Sequence, residues 1–349
     1  MQVNSQPLSA LTSIRVGGTP AEIFVAQTRD DLIEHTLEVW RSGVDWLVLG
    51  GGSNIVVADN VSELHVIKVA NRGIETIRTT DESKVILRVQ AGENWDELVA
   101  HTVALGLAGF EAMSGIPGSV GAGPVQNIGA YGQELSDSLI RLEFLDYETH
   151  ELGILEAKDL AFGYRDSAIK RGRPGLITWI EFELQDLDGL SRPLYSTQIA
   201  ADLGAKMGEQ VPLADVRNSV LKLRASKGMV LDDNDPDSIS CGSFFTNPVV
   251  SDGFARTLPE DAPRYENEDD DGLTVKLSAA WLIEAAGIGK GFALAGSHAA
   301  MSSKHTLAIV NRGGATAEEI LQLAGYVQTQ VSNRFGINLV PEPNLIGFS

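Results

Sequence analysis

A single cysteine, Cys241, in a chain of 349 residues excludes an internal disulfide and any multi-cysteine metal site. Long apolar runs are missing too: nowhere do about 18 uncharged apolar residues follow one another, as a bilayer span requires. The amino-terminal MQVNSQPLSALTSIRVGG has no basic region followed by an apolar one, so no signal peptide is expected and the chain reads as cytoplasmic. Positive charge is scarce, with 27 Lys and Arg against 47 Asp and Glu and a formal net charge of -20. Non-specific nucleic-acid binding needs a basic face and is excluded as a function class. A small anionic ligand is not excluded, because a few placed cations suffice for one. Two acidic runs, LDDNDPDS (231–238) and YENEDDDG (265–272), read as solvated loops, and neither has the spacing of an EF-hand. No repeat of 20–50 residues is present.

Glycine, by contrast, is abundant and concentrated. The stretch GIPGSVGAGPVQNIGAYGQE (115–134) holds six glycines and two prolines. Glycine is costly to order, so such a run is kept for geometry or is a linker. Ile116, Val120, Val125, Ile128 and Tyr131 stand between the glycines and favour the first reading. They would seat the segment on a core and leave backbone N–H groups facing a large anionic guest. A second glycine turn, LGGGSN, follows a short buried strand. No Gly-Lys-Ser/Thr follows it, so it is not a Walker A loop, and it lacks a complete GxGxxG with a helix behind it. Taken alone it is as readily structural as functional. Paired with the later loop, it suits the pyrophosphate and a second polar part of one cofactor.

Periodicity divides the chain coarsely. Strands are expected at 22–27, 46–50, 64–70, 84–92, 140–147 and 175–184, with "IVVAD" after the glycine turn also strand-like, and helices at 29–43 and 94–107. An α+β or α/β unit therefore fills roughly residues 1–190. Beyond it, helices are expected at 213–227, at 277–287, and from the Thr316 cap to Gly336, with a strand at 305–311.

Five motifs in order, GGGSN, AGENWDEL, GIPGSVGAGPVQNIGAYGQEL, FGYRDS (162–167) and CGSFFTNP (241–248), resemble the UDP-N-acetylenolpyruvoylglucosamine reductase family, also called UDP-N-acetylmuramate dehydrogenases. The resemblance runs from about residue 12 to residue 344. It implies an α+β chain: an FAD-binding fold of the vanillyl-alcohol-oxidase (PCMH) type in two lobes, with a separate α/β substrate-binding domain. The implied boundaries are 1–70 for the first lobe, with 337–349 returning to it, 71–212 for the second, and 213–336 for the substrate domain. The implied reaction is NADPH-dependent reduction of UDP-N-acetylglucosamine enolpyruvate to UDP-N-acetylmuramate, a peptidoglycan precursor, through non-covalently bound FAD. A monomer is expected, with neither nucleic acid nor membrane as partner.

By this resemblance FAD is enclosed by Gly50, Gly51, Gly52, Ser53 and Asn54 from the first turn. The second loop contributes Ser114, Gly115, Ile116, Pro117, Gly118, Gly121, Asn127, Gly129, Ala130 and Tyr131. Hydride reaching the terminal enol-ether carbon leaves negative charge on its neighbour, which needs a proton donor and a cation. Ser243 of GSFF matches the family's proton donor. Arg165 matches the residue that holds the enolpyruvyl carboxylate, and Glu342 matches the third catalytic position. Without the resemblance, Ser243 is as readily a capping or turn residue, Arg165 with Asp166 a surface pair, and Glu342 unremarkable. Substrate-binding positions match Tyr164, Tyr195, Arg224, Lys227, Asn247 and His305. Lys227 otherwise reads as a helix C-terminal cation. Tyr195 belongs to a segment of the family's longer form, whose loop folds over the substrate.

The chain departs from the family at several places. His305 stands where some long-form members carry Gln, Asn344 where some carry Arg, and Thr246 replaces a frequent Lys. The 231–238 connection is longer and more acidic than usual, which would weaken a positive field if it folded over the site. Cys241 reads as a small buried hydrophobe, and His298 and His305 do not have metal-ligand spacing. Two rivals stay open: an alcohol or sugar oxidase of the same flavin fold, and a UDP-sugar-binding protein without catalysis. Covalent flavin tethering, common in such oxidases, finds only His65 between Asn54 and Gly92.

Overall fold

The computed structural model describes residues 3–4, 6–77, 79–266 and 273–348. Most of the second acidic run, residues 267–272, lies outside the described residues. The described chain forms two compact units. The first comprises residues 1–6, 20–52 and 62–225, and the second residues 7–19, 53–61 and 226–349.

In the first unit, Glu22–Ala26, His65–Val69 and Trp46–Leu49 lie parallel, with Val3–Asn4 antiparallel at one edge. Helix α1 (Arg29–Ser42) returns the chain from the first of these strands to the third. Its limits are chemical: the Thr28 hydroxyl accepts from the Asp31 N–H, and Gly43 closes it at φ 72°. Leu32, Val39 and Trp40 face inward, and Trp40 packs on Trp46 and Tyr147 at centroid distances of 5.2 and 5.1 Å.

The second sheet has six strands. Gly175–Asp186 is its hub, pairing with Leu139–Asp146, Lys84–Gln90 and Leu107–Ala108, while Leu152–Glu156 and Ile74–Ile77 form the outer edges. Helix α2 (Trp95–Ala104), capped by Asn94, brings Trp95 against Phe110 at 5.0 Å. Trp95, Phe110 and Phe182 are fully buried, and each contributes on the order of 2–3 kcal/mol by area burial. Helices α3 (Thr197–Leu203) and α4 (Leu213–Ala225) make a smaller cluster through Ile199, Val216 and Val220, seated on Ala112.

The second unit places strands Ala299–Met301 and Ile309–Asn311 with helices α6 (Ala279–Ala285) and α7 (Ala317–Phe335) around a core that includes Phe244 and Phe245; a four-residue helix α5 (Asp252–Ala255) adjoins a small three-stranded sheet. The α7 limits match the sequence signals: a Thr316–Glu319 capping box and a left-handed Gly336. The C-terminal strand Asn344–Ile346 pairs in parallel with Ile55–Val57.

Two expectations need correction. The strand expected at 305–311 is confined to Ile309–Asn311; His305–Ala308 is a turn in which Ala308 N–H donates to the His305 carbonyl. The run at 231–238 is not simply a solvated loop. Asp237 is buried and accepts from the Ser302 hydroxyl and from the Ser303 amide and hydroxyl, while Asp235 pairs with Lys304 at 2.7 Å.

Candidate active site

The two glycine segments meet in the first unit, and their glycines are required by contact. A Cβ on Gly51 would stand 2.4 Å from Gly118 Cα, and one on Gly50 would stand 2.3 Å from Ser119 Oγ. A Cβ on Gly121 would meet Ala91 Cβ at 2.5 Å. Lys68 Nζ donates to the Gly50 carbonyl and holds the first turn from the neighbouring strand. Burial, followed by the charge of Arg72, lowers Lys68 to about 8. Of the five expected seats of the second loop, Val120 is fully buried, Ile116 and Ile128 pack on the same core, Tyr131 packs on the smaller cluster with Ile199 and Val216, and Val125 lines a neighbouring cavity. Residues 120–126 form a 3-10 helix, ended by Asn127 at φ 47°.

A cavity of about 270 Å³ opens where these segments meet, lined by Gly50, Ser119, Gly121 and Ala122 with walls from Val48 and Phe144. Its size suits one part of a larger ligand. The buried Ser119 hydroxyl has no hydrogen-bond partner, a costly arrangement of about 1–3 kcal/mol unless a ligand completes it. Backbone packed too tightly for side chains and an unsatisfied hydroxyl beside a mostly apolar cavity fit a dinucleotide cofactor such as FAD. Sequence reasoning missed Ser119. Its position inside the glycine loop was the available signal, but a serine among glycines reads as a turn residue.

The same unit gathers several other expected residues. Arg165, in the left-handed region at φ 53°, donates to the carbonyls of Asn127 and Gly129 and lies 3.5 Å from Glu134 Oε1. Its guanidinium sits 5.2 Å from the Tyr164 ring centroid. A Cβ on Gly129 would stand 2.7 Å from the Gln133 carbonyl oxygen, 2.9 Å from Glu134 Cγ and 3.2 Å from Arg165 Nη1, so the paired backbone excludes a side chain here first and the cation second. Asn127 is buried and donates to Glu134 and the Gly163 carbonyl, which ties the loop to FGYRDS. Ser114 is buried, its hydroxyl donating to the Glu111 carbonyl, and Gly129–Ala130 pairs with Gln133–Glu134. Burial raises the Tyr131 phenol and lowers Arg224, and each lies within the other's field. Tyr195 is 66% exposed, with its Cβ against Gly132.

The second unit holds the remaining candidates. Phe244 accepts from the Glu342 N–H at 2.9 Å, and Thr246 N–H donates to Val340, so GSFF and the C-terminal PEPN run antiparallel. This pairing brings Ser243 and Glu342 onto adjoining backbone. Asn54 joins them: its side-chain amide donates to the Glu342 carbonyl at 3.3 Å and its own carbonyl accepts from Asn344. Ser53 accepts from the Ser13 hydroxyl. Asn247 Oδ1 accepts from Ala279 N–H and so caps α6. His305 is lowered to about 4, first by burial and then by the charges of Lys227 and Lys290, with Glu284 opposing. Cys241 is buried and pushed up to about 12, which leaves it an inert thiol. No cluster able to hold a metal ion occurs among the described residues.

Comparison with known proteins decides the family. Residues 20–152 match the family described as FAD binding domain, and residues 235–346 match UDP-N-acetylenolpyruvoylglucosamine reductase, C-terminal domain. A UDP-N-acetylenolpyruvoylglucosamine reductase of Leifsonia xyli subsp. xyli is 50% identical, over 98% of both chains. The chain belongs to the UDP-N-acetylenolpyruvoylglucosamine reductase family. Another reductase of that name, from Thermobifida fusca, is 46% identical over 98% of this chain and 97% of its own. The reductase structure from Thermus caldophilus shares the fold, with a TM-score of 0.67 over 99% of each chain at 24% identity. A reductase of this family is an FAD-dependent oxidoreductase of peptidoglycan synthesis, built on the PCMH-type FAD-binding fold with its own C-terminal domain. None of the described helices is long and apolar enough to cross a membrane.

Proposed function

We propose that this reductase-family chain reduces UDP-N-acetylglucosamine enolpyruvate to UDP-N-acetylmuramate with NADPH as donor. The observation that carries the reading is the direct backbone contact of Gly50–Gly51 with Gly118–Ser119 beside a cavity holding an unsatisfied hydroxyl. Gly50, Gly51 and Gly121, with the Ser119 hydroxyl, would hold FAD. Bound there, FAD would supply the hydride-transfer chemistry, with NADPH as donor and the terminal carbon of the enol ether as acceptor. The Ser243 hydroxyl gives its proton to the adjacent carbon, a weak acid working against a strong base. Arg165 holds the enolpyruvyl carboxylate by charge-assisted hydrogen bonds, and its own ties to Asn127 and Gly129 fix its direction. Glu342 completes the charge arrangement, its backbone held by Phe244 and Asn54.

Lys227 and Arg224 meet the diphosphate, with Tyr164, Tyr195, Asn247 and His305 completing the substrate contacts. In this reading residues 1–70 with 337–349, and 71–212, serve FAD, while 213–336 serve the substrate. The enzyme acts as a cytoplasmic monomer. An anaerobic visible spectrum tests it: a flavin band that bleaches with NADPH and returns with the enolpyruvyl sugar supports the reading. Reoxidation only by oxygen would favour an oxidase, and no flavin uptake at all would refute it.

A further inference from the structure

The first turn of α2 grips the start of the flavin loop at three points. Trp95 N–H donates to the Gly118 carbonyl at 3.0 Å, Trp95 Nε1 donates to the Met113 carbonyl at 3.2 Å, and Asp96 Oδ1 accepts the Gly115 N–H at 2.6 Å. Gly115 has φ 73° and no side chain, so only its backbone groups can fix it, and its N–H is the one Asp96 takes. The same carboxylate accepts both ends of a guanidinium: Arg217 Nη1 reaches Oδ1 at 2.6 Å and Nη2 reaches Oδ2 at 2.9 Å. Arg217 belongs to α4, and Arg224 follows two helical turns later on the same face. We propose that Asp96 is a positioning residue whose single carboxylate fixes both the start of the flavin loop and the helix that carries Arg224.

A bidentate, half-buried pair of this kind is directional enough to set a helix's rotation as well as its distance. Burial works to raise the Asp96 carboxyl. The Arg217 and Gly115 hydrogen bonds, with the charges of Arg217 and Arg224, outweigh it and hold the group below its ordinary value. Asp96 therefore stays an anion at neutral pH and both contacts persist. The assignment rests on FAD and the UDP sugar being the ligands.

Two substitutions separate the two tasks. Asp96→Asn keeps one carbonyl oxygen for Gly115 but turns an amide N–H₂ toward Arg217; Asp96→Ala removes both contacts. Titrating the apoprotein with FAD and following flavin fluorescence should show Asp96→Asn within about threefold of wild type and Asp96→Ala weaker by about tenfold. The KM for the enolpyruvyl sugar should rise about tenfold in both, with kcat changed far less. Arg217→Lys should raise KM less than Asp96→Asn and leave FAD affinity alone. Equal effects of Asp96→Asn and Asp96→Ala on both constants, or a lower melting temperature with neither constant altered, would overturn the assignment. Wild-type protein that bound no FAD would defeat the functional reading and this inference together. Normal wild-type binding with unaltered variants would defeat only this inference.

Discussion

Gly51→Ala puts the contact between the glycine segments to a direct test. The added methyl would lie 2.4 Å from Gly118 Cα, 2.7 Å from Gly118 C and 2.8 Å from Ser119 N, whereas ordinary contact begins at 3.4 Å. One segment must therefore retreat by about 1 Å. Neither can do so by turning a side chain, because every clashing atom is backbone. Gly118 is also held by Trp95 N–H, so movement there would break a hydrogen bond. Overpacking of this kind costs about 1–3 kcal/mol, and the displaced atoms border the cavity, so the loss appears in cofactor binding as well as in folding. FAD affinity should fall about ten- to a hundredfold, measured by flavin fluorescence, and the melting temperature of the apoprotein should drop by several degrees. Gly153→Ala is the control, since a Cβ there meets nothing within 4 Å. It should change neither quantity. Gly51→Ala protein that bound FAD with wild-type affinity and melted normally would show that the close approach is not what the glycines serve.

Ser119→Ala should leave the apoprotein melting temperature unchanged or raised, because the hydroxyl has no protein partner, yet weaken FAD several-fold. Equal shifts with and without FAD would contradict a ligand role. Ser243→Ala should leave flavin reduction by NADPH intact and slow flavin reoxidation by the enolpyruvyl sugar by about 10²–10⁴-fold, resolved by stopped flow; equal slowing of both half-reactions would refute proton donation. His305 takes its proton near pH 4 when folded and near 6.5 when unfolded. The unfolded chain therefore binds protons first as pH falls, and stability is lost from about 6.5 down to 4. His305→Gln should flatten the melting curve over that interval, and parallel wild-type and variant curves would show that His305 does not titrate this way.

Short-range signals were legible wherever the deciding atoms are close in sequence. Thr316 starts the last helix and Gly336 ends it, as expected, each through a bond to a residue within four positions; Asn94 and Gly43, counted inside the expected helices, prove to be caps acting over the same short range. The apolar residues set between the glycines at 116–128 also showed that this segment belongs to a folded core. The turn at His305–Ala308 was not legible, because Leu307 and Ala308 are as apolar as the strand they precede. Residue type cannot separate a buried strand from a buried turn. The acidic run at 231–238 misled for the opposite reason. Asp237 looks solvated until Ser302 and Ser303 arrive to satisfy it.

The sequence by itself determined the caps of the last helix, the presence of two glycine segments, and the motifs that carry the reductase-family resemblance. Tertiary structure alone decided that Gly51 rests on Gly118, that Asp96 joins Arg217 across 121 residues, and that Asn54 meets Glu342 across 288. It also decided that Ser119, rather than an expected residue, presents the unsatisfied hydroxyl. The physical reason is one of range. A cap or a left-handed glycine is settled by hydrogen bonds and sterics within one turn of chain, whereas these pairings exist only after the sheets and helices have buried their apolar faces and fixed which loops meet.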